Sequence, residues 1–348
     1  MAKDDITIYE IAKEAGVSPA TVSRVLTNSA RVSPAKKSMV QQVINKYHFQ
    51  PNAAARSLID TRTHIIGMMV ADIRNPFYAS VVVECELAAQ RRGYTLVLCN
   101  LLDDQQLENR SLENLYAQRV DAIIQIGSRV DDRCSDPDYV NRVRRISQRI
   151  PFITTGKLDG VENCWRINLD QRRSLSIALE YLMTLGHRRI AFLGGRWDVS
   201  STWIMRQSFI RFTKAHQLYV CPEYIVDSNY NETGGYEAFE KLWAHMPQPP
   251  TACICVNDFV ALGVYKALRD HGMRIPQDMS VMGFDNTYLA RLAEPGLTSM
   301  DYDYPAFGEQ LISLSLAAAL DQNPPHLQYL IPQMVIRQST AAASDQLL

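Results

Sequence analysis

The sequence has little of what marks a secreted protein, a membrane protein or an enzyme. Its seven cysteines are scattered over 348 residues, and only Cys253 and Cys255 lie close together. No metal-ligand spacing appears among them, so neither a metal site nor a disulfide framework is expected. Reduced thiols in a cytoplasmic protein are the simplest reading, with Cys99, Cys253 and Cys255 as small core residues inside strand-like runs. No apolar stretch approaches the roughly 20 residues that span a bilayer. Met1-Ala2-Lys3-Asp4-Asp5 leads into no apolar core, so no signal peptide is expected either. There is no Ser-His-Asp arrangement and no phosphate loop, which argues against an enzyme and against a cofactor. Net charge is nearly absent at −1, but it is unevenly spread. Residues 1–62 hold nine Lys/Arg against five Asp/Glu, an excess of four positive charges, and the remainder carries an excess of five negative ones. A basic head on an acidic body fits a nucleic-acid module joined to something that should stay off nucleic acid. At this length two or three domains are expected, and the 47% hydrophobic content is ample for folded cores.

The head carries the most specific pattern. Ile8, Ile11, Ala12 and Ala15 fall on one helical face, and Gly16 then breaks the pattern with a residue suited to a left-handed turn. Ser18 is a good N-cap and Pro19 sits at the first helical position, where its missing N–H costs nothing. Val22, Val25 and Leu26 give a second apolar face, leaving Thr21, Ser23 and Arg24 able to point away from it. Two short helices joined by a tight turn form the helix-turn-helix plan, whose second helix enters a DNA major groove. A helix pair that merely packs would share this pattern. A third helix, capped by Val32-Ser33-Pro34, runs to about Tyr47 with Val40, Val43, Ile44 and Tyr47 as its buried stripe.

The run Tyr9-Glu10-Ile11-Ala12-Lys13-Glu14-Ala15-Gly16-Val17-Ser18, then Thr21-Val22-Ser23-Arg24-Val25-Leu26, then Pro51-Asn52-Ala53-Ala54-Ala55-Arg56-Ser57-Leu58, closely resembles the lac repressor/galactose repressor family of bacterial transcription regulators. Gly186-His187-Arg188-Arg189-Ile190 and Ser280-Val281-Met282-Gly283-Phe284-Asp285 extend the resemblance to about Arg337. It implies a helix-turn-helix headpiece over 1–48, a hinge helix or linker over 49–62, and an effector-binding and dimerisation core over 63–343. That core resembles a periplasmic sugar-binding protein, with two doubly wound parallel-sheet lobes. The N-lobe is expected at about 63–168 and 301–330, the C-lobe at about 169–300 and 331–343. The text from His64 agrees, since buried strands alternate with helices, the pattern of a parallel sheet covered on both faces. Strands are expected at 65–70, 95–99, 122–126, 152–155, 190–194, 224–227, 252–256 and 279–286. Helices are expected at 78–92, 104–119, 138–148, 171–185, 205–216 and 233–244, with another opening at Asn257.

The resemblance implies DNA contacts from Thr7, Ser18, Pro19, Ala20, Thr21, Ser23 and Arg24 in the headpiece and from Asn52, Ala55 and Leu58 in the hinge. Arg24 suits either a bidentate contact to guanine or a phosphate clamp, while Pro19 and Ala20 can offer only apolar contact. Lys36 and Lys37 suit phosphates or plain solvent. Leu58 would wedge between base steps in the minor groove, working as a symmetric pair, which implies a homodimer on palindromic double-stranded operator DNA. The polar tail from Gln338 has no leucine heptads, so a dimer and not a tetramer is expected.

Ligands of open α/β sheets bind beyond the carboxyl ends of strands. By resemblance the effector contacts there are Phe77, Arg206, Asn257 and Asp285, with Tyr230 as a stacking aromatic and Trp203 as a second. Asp72 follows the first strand, and 196–206 is read as a loop. Asp285 could pair with Arg206, and Tyr230 could belong to the core. Arginine, carboxylates and an aromatic face suit a carbohydrate. One departure stands out: Gly156-Lys157 replaces an aspartate that many family members use for sugar hydroxyls, and a cationic Lys157 points to a phosphorylated or acidic ligand. The expected function is therefore a DNA-binding regulator, a repressor released from its operator by a sugar or sugar-phosphate inducer. The alternatives are a regulator that needs a purine-like corepressor, and a small-molecule receptor or enzyme with no DNA role.

Overall fold

The computed structural model describes residues 6–27, 32–47, 49, 62–219 and 221–343, and the chain divides into two compact units, Met1–Thr63 and His64–Leu348. The hinge residues Asn52, Ala55 and Leu58 lie outside the described residues.

In the first unit α1 (Ile8–Glu14) opens on a capping box. The Glu10 carboxylate accepts from the Thr7 backbone N–H at 2.6 Å, while the Glu10 N–H reaches the Thr7 hydroxyl at 3.4 Å, satisfying donors that a helix start leaves orphaned. Gly16 sits at φ 63° with open space around the position of a Cβ, so backbone conformation alone calls for glycine there. It turns the chain into α2 (Pro19–Thr27), whose first turn is tied by Ser18 accepting from the Thr21 N–H at 3.3 Å. α3 (Pro34–Tyr47) closes the bundle. Ile11, Ala12 and Ala15 from α1 and its end meet Val22 and Val25 of α2 and Val40, Val43 and Ile44 of α3. So few buried side chains make a small core of modest stability.

The second unit holds two six-stranded sheets. One contains β1 (Ile65–Val70), β2 (Thr95–Asn100), β3 (Ala122–Ile126), β4 (Phe152–Thr154), β5 (Cys164–Leu169) and β11 (Leu327–Leu330), in the order β11-β5-β4-β3-β1-β2. The other contains β6 (Ile190–Leu193), β7 (Ile225–Val226), β8 (Ala252–Cys255), β9 (Ser280–Asp285), β10 (Thr298–Asp301) and β12 (Gln333–Val335), in the order β12-β10-β9-β8-β6-β7. Every pairing is parallel except that of β10 with β12. Strands such as Ala122–Ile126 are buried along their whole length, as parallel strands covered on both faces must be. The covering helices start where sequence chemistry allows. Asn75 and Pro76 open α4 (Pro76–Gln90), Asp104 caps α5 (Gln105–Ala117), and Asp136 with Pro137 opens α6 (Pro137–Ser147). The chain changes sheets three times: from β5 into α7 (Gln171–Thr184), from β10 into α12 (Tyr304–Ala319), and between β11 and β12.

Two features depart from the sequence reading. The segment 196–206 is not a loop throughout, because α8 (Ser200–Ala215) starts at Ser200 and places Arg206 in its second turn. Its start is hidden because Val199, the residue before it, makes no side-chain cap and the polar Ser200-Ser201-Thr202 run imitates a loop. The elements β5, β10, β11, β12 and α12 were not anticipated either. β5 does carry a period of two, with Trp165, Ile167 and Leu169 buried between Cys164, Arg166 and Asn168, and that signal was passed over, whereas α12 is apolar on nearly every side and shows no clean period.

One polar network is built into the first lobe. The Glu108 carboxylate is fully buried on α5 and accepts from Arg129 Nε at 2.7 Å, from the Gln125 amide and from Ser128 at 3.2 Å. Arg129 also donates to Asp136 at 3.0 Å and to Asn109 at 2.6 Å, and it lies over the ring of Tyr139, 4.0 Å from its centroid. This fixes the single helical turn Ser128–Asp131 at the end of β3. Removing one partner from a buried pair costs about 3–5 kcal/mol, because the remaining charge stays desolvated. Glu108→Ala should therefore lower the unfolding free energy of the second unit by about that amount in urea titrations; a loss under about 1 kcal/mol would show that the network contributes little.

Candidate functional site

The carboxyl ends of both sheets open on one cleft in the second unit. Three cavities run along it. A deep pocket of about 110 Å³ adjoins a main chamber of about 440 Å³, sharing Asn75, Tyr78, Gly127, Asp131, Ser201 and Tyr230 with it. An outer chamber of about 340 Å³ shares Asp103, Ser128 and Arg196 with the main one.

The deep pocket is made by strand ends. Asn257 caps α10 (Asp258–Asp270), accepting from the Val260 N–H at 2.8 Å and donating to the Tyr230 carbonyl at 3.2 Å. Asp285 ends β9 at φ 92°, a left-handed conformation that an L-residue adopts only under constraint and one often found at functional positions. No described side chain or backbone group hydrogen-bonds its carboxyl group. Burial, with the nearby Asp258 carboxylate, pushes that group well above the usual carboxylate range. Asp258 itself accepts from the Thr287 N–H at 2.6 Å, the Thr287 hydroxyl at 3.0 Å and the Ser299 hydroxyl at 2.6 Å, which holds the turn after Asp285. Burial nevertheless raises Asp258 to about 7, more than those bonds lower it. Phe77 supplies the apolar wall and packs edge-on to Tyr78 at 5.2 Å.

In the main chamber Tyr230 is fixed by its hydroxyl, which meets Thr202 at 2.6 Å and accepts from the Arg196 N–H at 3.3 Å. Asp72 lines the same chamber, held by Arg74 through three short side-chain bonds that keep it below its ordinary range and ionised. The glycine after β3 is needed here: Gly127 has φ 76°, and a Cβ would come within 2.4 Å of the Tyr78 hydroxyl.

Three expected contacts stand elsewhere. The Lys157 side chain is 68% exposed, pairs with Asp159 at 2.8 Å and lines none of the three cavities. Gly156 packs so tightly on Val130 that a Cβ would fall 1.7 Å from its carbonyl oxygen, which sends the chain outward and leaves Thr155 as the pocket residue. Trp203 faces the Arg133 guanidinium, 4.8 Å from its ring centre, and lies outside the cavity linings. Arg206, only 8% exposed, does not pair with Asp285. It pairs with Asp227 and donates to the carbonyls of Gly194 at 3.1 Å and Gly195 at 2.8 Å, while its Nε is buried without a partner. Position in the chain placed it beyond a strand; helix α8 turns it toward the back of the cleft loop.

Sequence reasoning passed over Asp131 and Ser201. The Ser201 hydroxyl donates to Asp131 across the cleft at 2.5 Å, Asp132 and Val199 form an antiparallel bridge, and the Arg133 N–H donates to the Asp198 carbonyl at 2.8 Å. These contacts clasp one lobe to the other. Burial raises Asp131 to about 6 in spite of Ser201. The signal was available, because Gly127–Asp131 directly follows a buried parallel strand.

In the first unit Ser18, Pro19, Ala20 and Arg24 are exposed at the start and along α2, and Thr21 and Ser23 are half-buried. Thr7 is occupied as the cap of α1. A helix-turn-helix unit joined to a two-lobed α/β unit with a polar cleft defines a ligand-responsive DNA-binding regulator. The comparisons agree. Residues 7–52 match the model of bacterial regulatory proteins of the lacI family, and 179–340 match a periplasmic binding protein-like domain. The chain is 34% identical to the ribose operon repressor of Escherichia coli (strain K12) over 88% of this chain and 91% of that one. It is 31% identical to catabolite control protein A of Priestia megaterium over 89% and 92%. A lac repressor dimer bound to operator and the anti-inducer ONPF superposes with TM-score 0.85 at 23% identity, covering 97% of this chain and 100% of that one. An Enterococcus faecium lacI-family regulator with bound ribose gives 0.69 at 24%, covering 80% and 100%. The chain belongs to the lacI family of bacterial regulatory proteins.

Asp258 generates a pH prediction. Its carboxyl keeps a proton in the folded state to about pH 7, whereas the unfolded chain loses it near 3.8, so folding binds a proton between those values. Its contribution to stability therefore falls as pH rises through that window and is level above it. Wild type should lose unfolding free energy relative to Asp258→Asn between about pH 4 and 7; parallel profiles would show that Asp258 ionises normally.

Proposed function

We propose that the chain represses transcription as a homodimer on palindromic double-stranded DNA, and that a hydroxyl-rich, non-anionic small molecule in the cleft releases it. The observation that carries the ligand class is the charge of the cleft. In its deep pocket and main chamber Asp72, Asp103, Asp131, Glu232 and Asp285 stand against Arg74 and Arg196, and both arginines are already paired, with Asp72 and Asp198. Carboxyl groups and amides beside Tyr78 and Tyr230 suit hydroxyls and C–H faces, and with both arginines already paired these two cavities offer a phosphate no open cation. The acidic or phosphorylated ligand inferred from Lys157 has no support in this lining. Ribose, named for one relative and bound in another, belongs to the favoured class.

The exposed start of α2 supports the DNA reading, with Arg24 and the small residues Ser18, Pro19 and Ala20 free of core packing. Val83 and Leu87, one turn apart on α4, and Leu98 and Leu102 around β2 are exposed apolar residues suited to a second copy. Residues 49–62 act as the hinge, with Asn52, Ala55 and Leu58 meeting the minor groove. A helix that short is marginal alone, so lobe closure can tip it between ordered and melted states. A ligand moves that balance only through its differential affinity for the two states, and contacts from both lobes provide such a difference.

Removing residues 1–62 should abolish binding to sites selected from a random DNA pool while sugar binding persists. Arg24→Ala should cost about 1–3 kcal/mol on selected DNA and reduce the salt dependence of binding. Asp285→Ala should leave DNA affinity intact and remove its response to the ligand. Ligand response unchanged in Asp285→Ala would take this pocket out of the mechanism, and tighter DNA binding with ligand would make the molecule a corepressor.

A further inference from the structure

The outer chamber has no task in the proposal so far, and its chemistry is distinct. Its rim carries Trp197, 62% exposed and making no ring contact among the described residues. The other tryptophans are covered or engaged: Trp165 stacks on His326, Trp203 lies under Arg133, and Trp243 packs on Phe239. An indole left open to water costs hydrophobic free energy unless something covers it.

Trp197 is also presented on a braced loop. Gly194 and Gly195 take φ 94° and 75°, and Arg206 clamps both of their carbonyls. One residue past Trp197, the Asp198 carbonyl accepts from the Arg133 N–H of the opposite lobe at 2.8 Å, and on the near side the Tyr230 hydroxyl accepts from the Arg196 N–H. The indole is thus held over the chamber by anchors on either side, in a pre-organised position that lowers the ordering cost of binding. Around it stand Gln105, Asp103, Asp132 and the Arg196–Asp198 pair, with Arg129 and Arg133 already engaged by Glu108 and Trp203, a set of donors and acceptors. An aromatic face flanked by such groups takes the C–H face of a sugar ring while its hydroxyls are hydrogen-bonded at the edge.

Size points the same way. At about 440 and 340 Å³ the main and outer chambers each reach the range of about 300–1,000 Å³ that whole small ligands occupy. They meet at Asp103, Ser128 and Arg196, so one extended ligand can enter both. We propose that the effector is an oligosaccharide or glycoside of at least two sugar units, with one ring in the main chamber beside Asp72 and Tyr230 and the next stacked on Trp197. The inference rests on the carbohydrate reading of the cleft and adds the ligand's length and its second subsite.

The test is calorimetric titration of the full chain with matched mono-, di- and trisaccharides of glucose, galactose, mannose, xylose and arabinose, followed in parallel by tryptophan fluorescence. At least one oligomer should bind tenfold or more tightly than its own monomer. Trp197→Ala should erase that gain and leave the monomer's affinity within twofold of wild type, and Trp197→Phe should restore most of it. The oligomer should shift the fluorescence of wild type and not of Trp197→Ala. A monosaccharide that binds as tightly as its oligomers, or a Trp197→Ala variant that weakens both alike, would overturn the second subsite and leave the carbohydrate reading standing. Failure of every saccharide to bind would overturn both.

Discussion

The buried pair of Glu108 and Arg129 sets the geometry of the cleft. Both side chains are taken from water, and neither would be tolerated there alone. Together with Gln125, Asn109 and Asp136 they leave few donors unsatisfied, so the turn Ser128–Asp131 has one conformation open to it. That turn meets every chamber: Asp131 reaches the deep and main cavities, Ser128 the main and outer ones, and Arg129 the outer one. An apolar core could have been as stable, but a hydrophobic contact would not orient Asp131 toward Ser201 with the same directionality.

From the opposite lobe Arg206 has a comparable part. It braces the backbone of Gly194 and Gly195 and so supports the loop that carries Arg196, Trp197 and Asp198. Each lobe thus holds its cleft-lining segment with an arginine set behind it, and the two segments meet through the Asp132–Val199 bridge and the Asp131–Ser201 bond. A few polar contacts across a cleft are weak enough to exchange for contacts with a ligand, as a closing motion requires.

The chain's local chemistry was readable wherever one residue acts on its near neighbours. The turn at Gly16, the cap at Ser18 and the buried Val40, Val43 and Ile44 of α3 all depend on spacings of a few residues, and the structure displays each of them, whereas Tyr47, expected in the same stripe, is exposed at the end of its helix. The alternation of buried strands and helices was equally legible, because a parallel strand covered on both faces must be apolar throughout. What escaped were β11 and α12, which have no period of their own, β5, whose alternation was legible but brief, and the start of α8 where no side chain caps it.

The sequence by itself determined the helix pair of the first unit and the alternation of buried strands and helices in the second, consequences of short-range steric and solvent preferences, and through its resemblance to a known family it pointed to the class of the protein. Only the tertiary structure decided which side chains share the cleft. Lys157 turns outward because Gly156 packs on Val130, Arg206 pairs with Asp227 because helix α8 carries it behind the loop, and Trp203 covers Arg133. Asp131 and Ser201, 70 residues apart, meet at 2.5 Å because two sheets present their carboxyl ends to each other. Such meetings depend on packing between distant segments, and no local pattern encodes the direction in which a side chain then points.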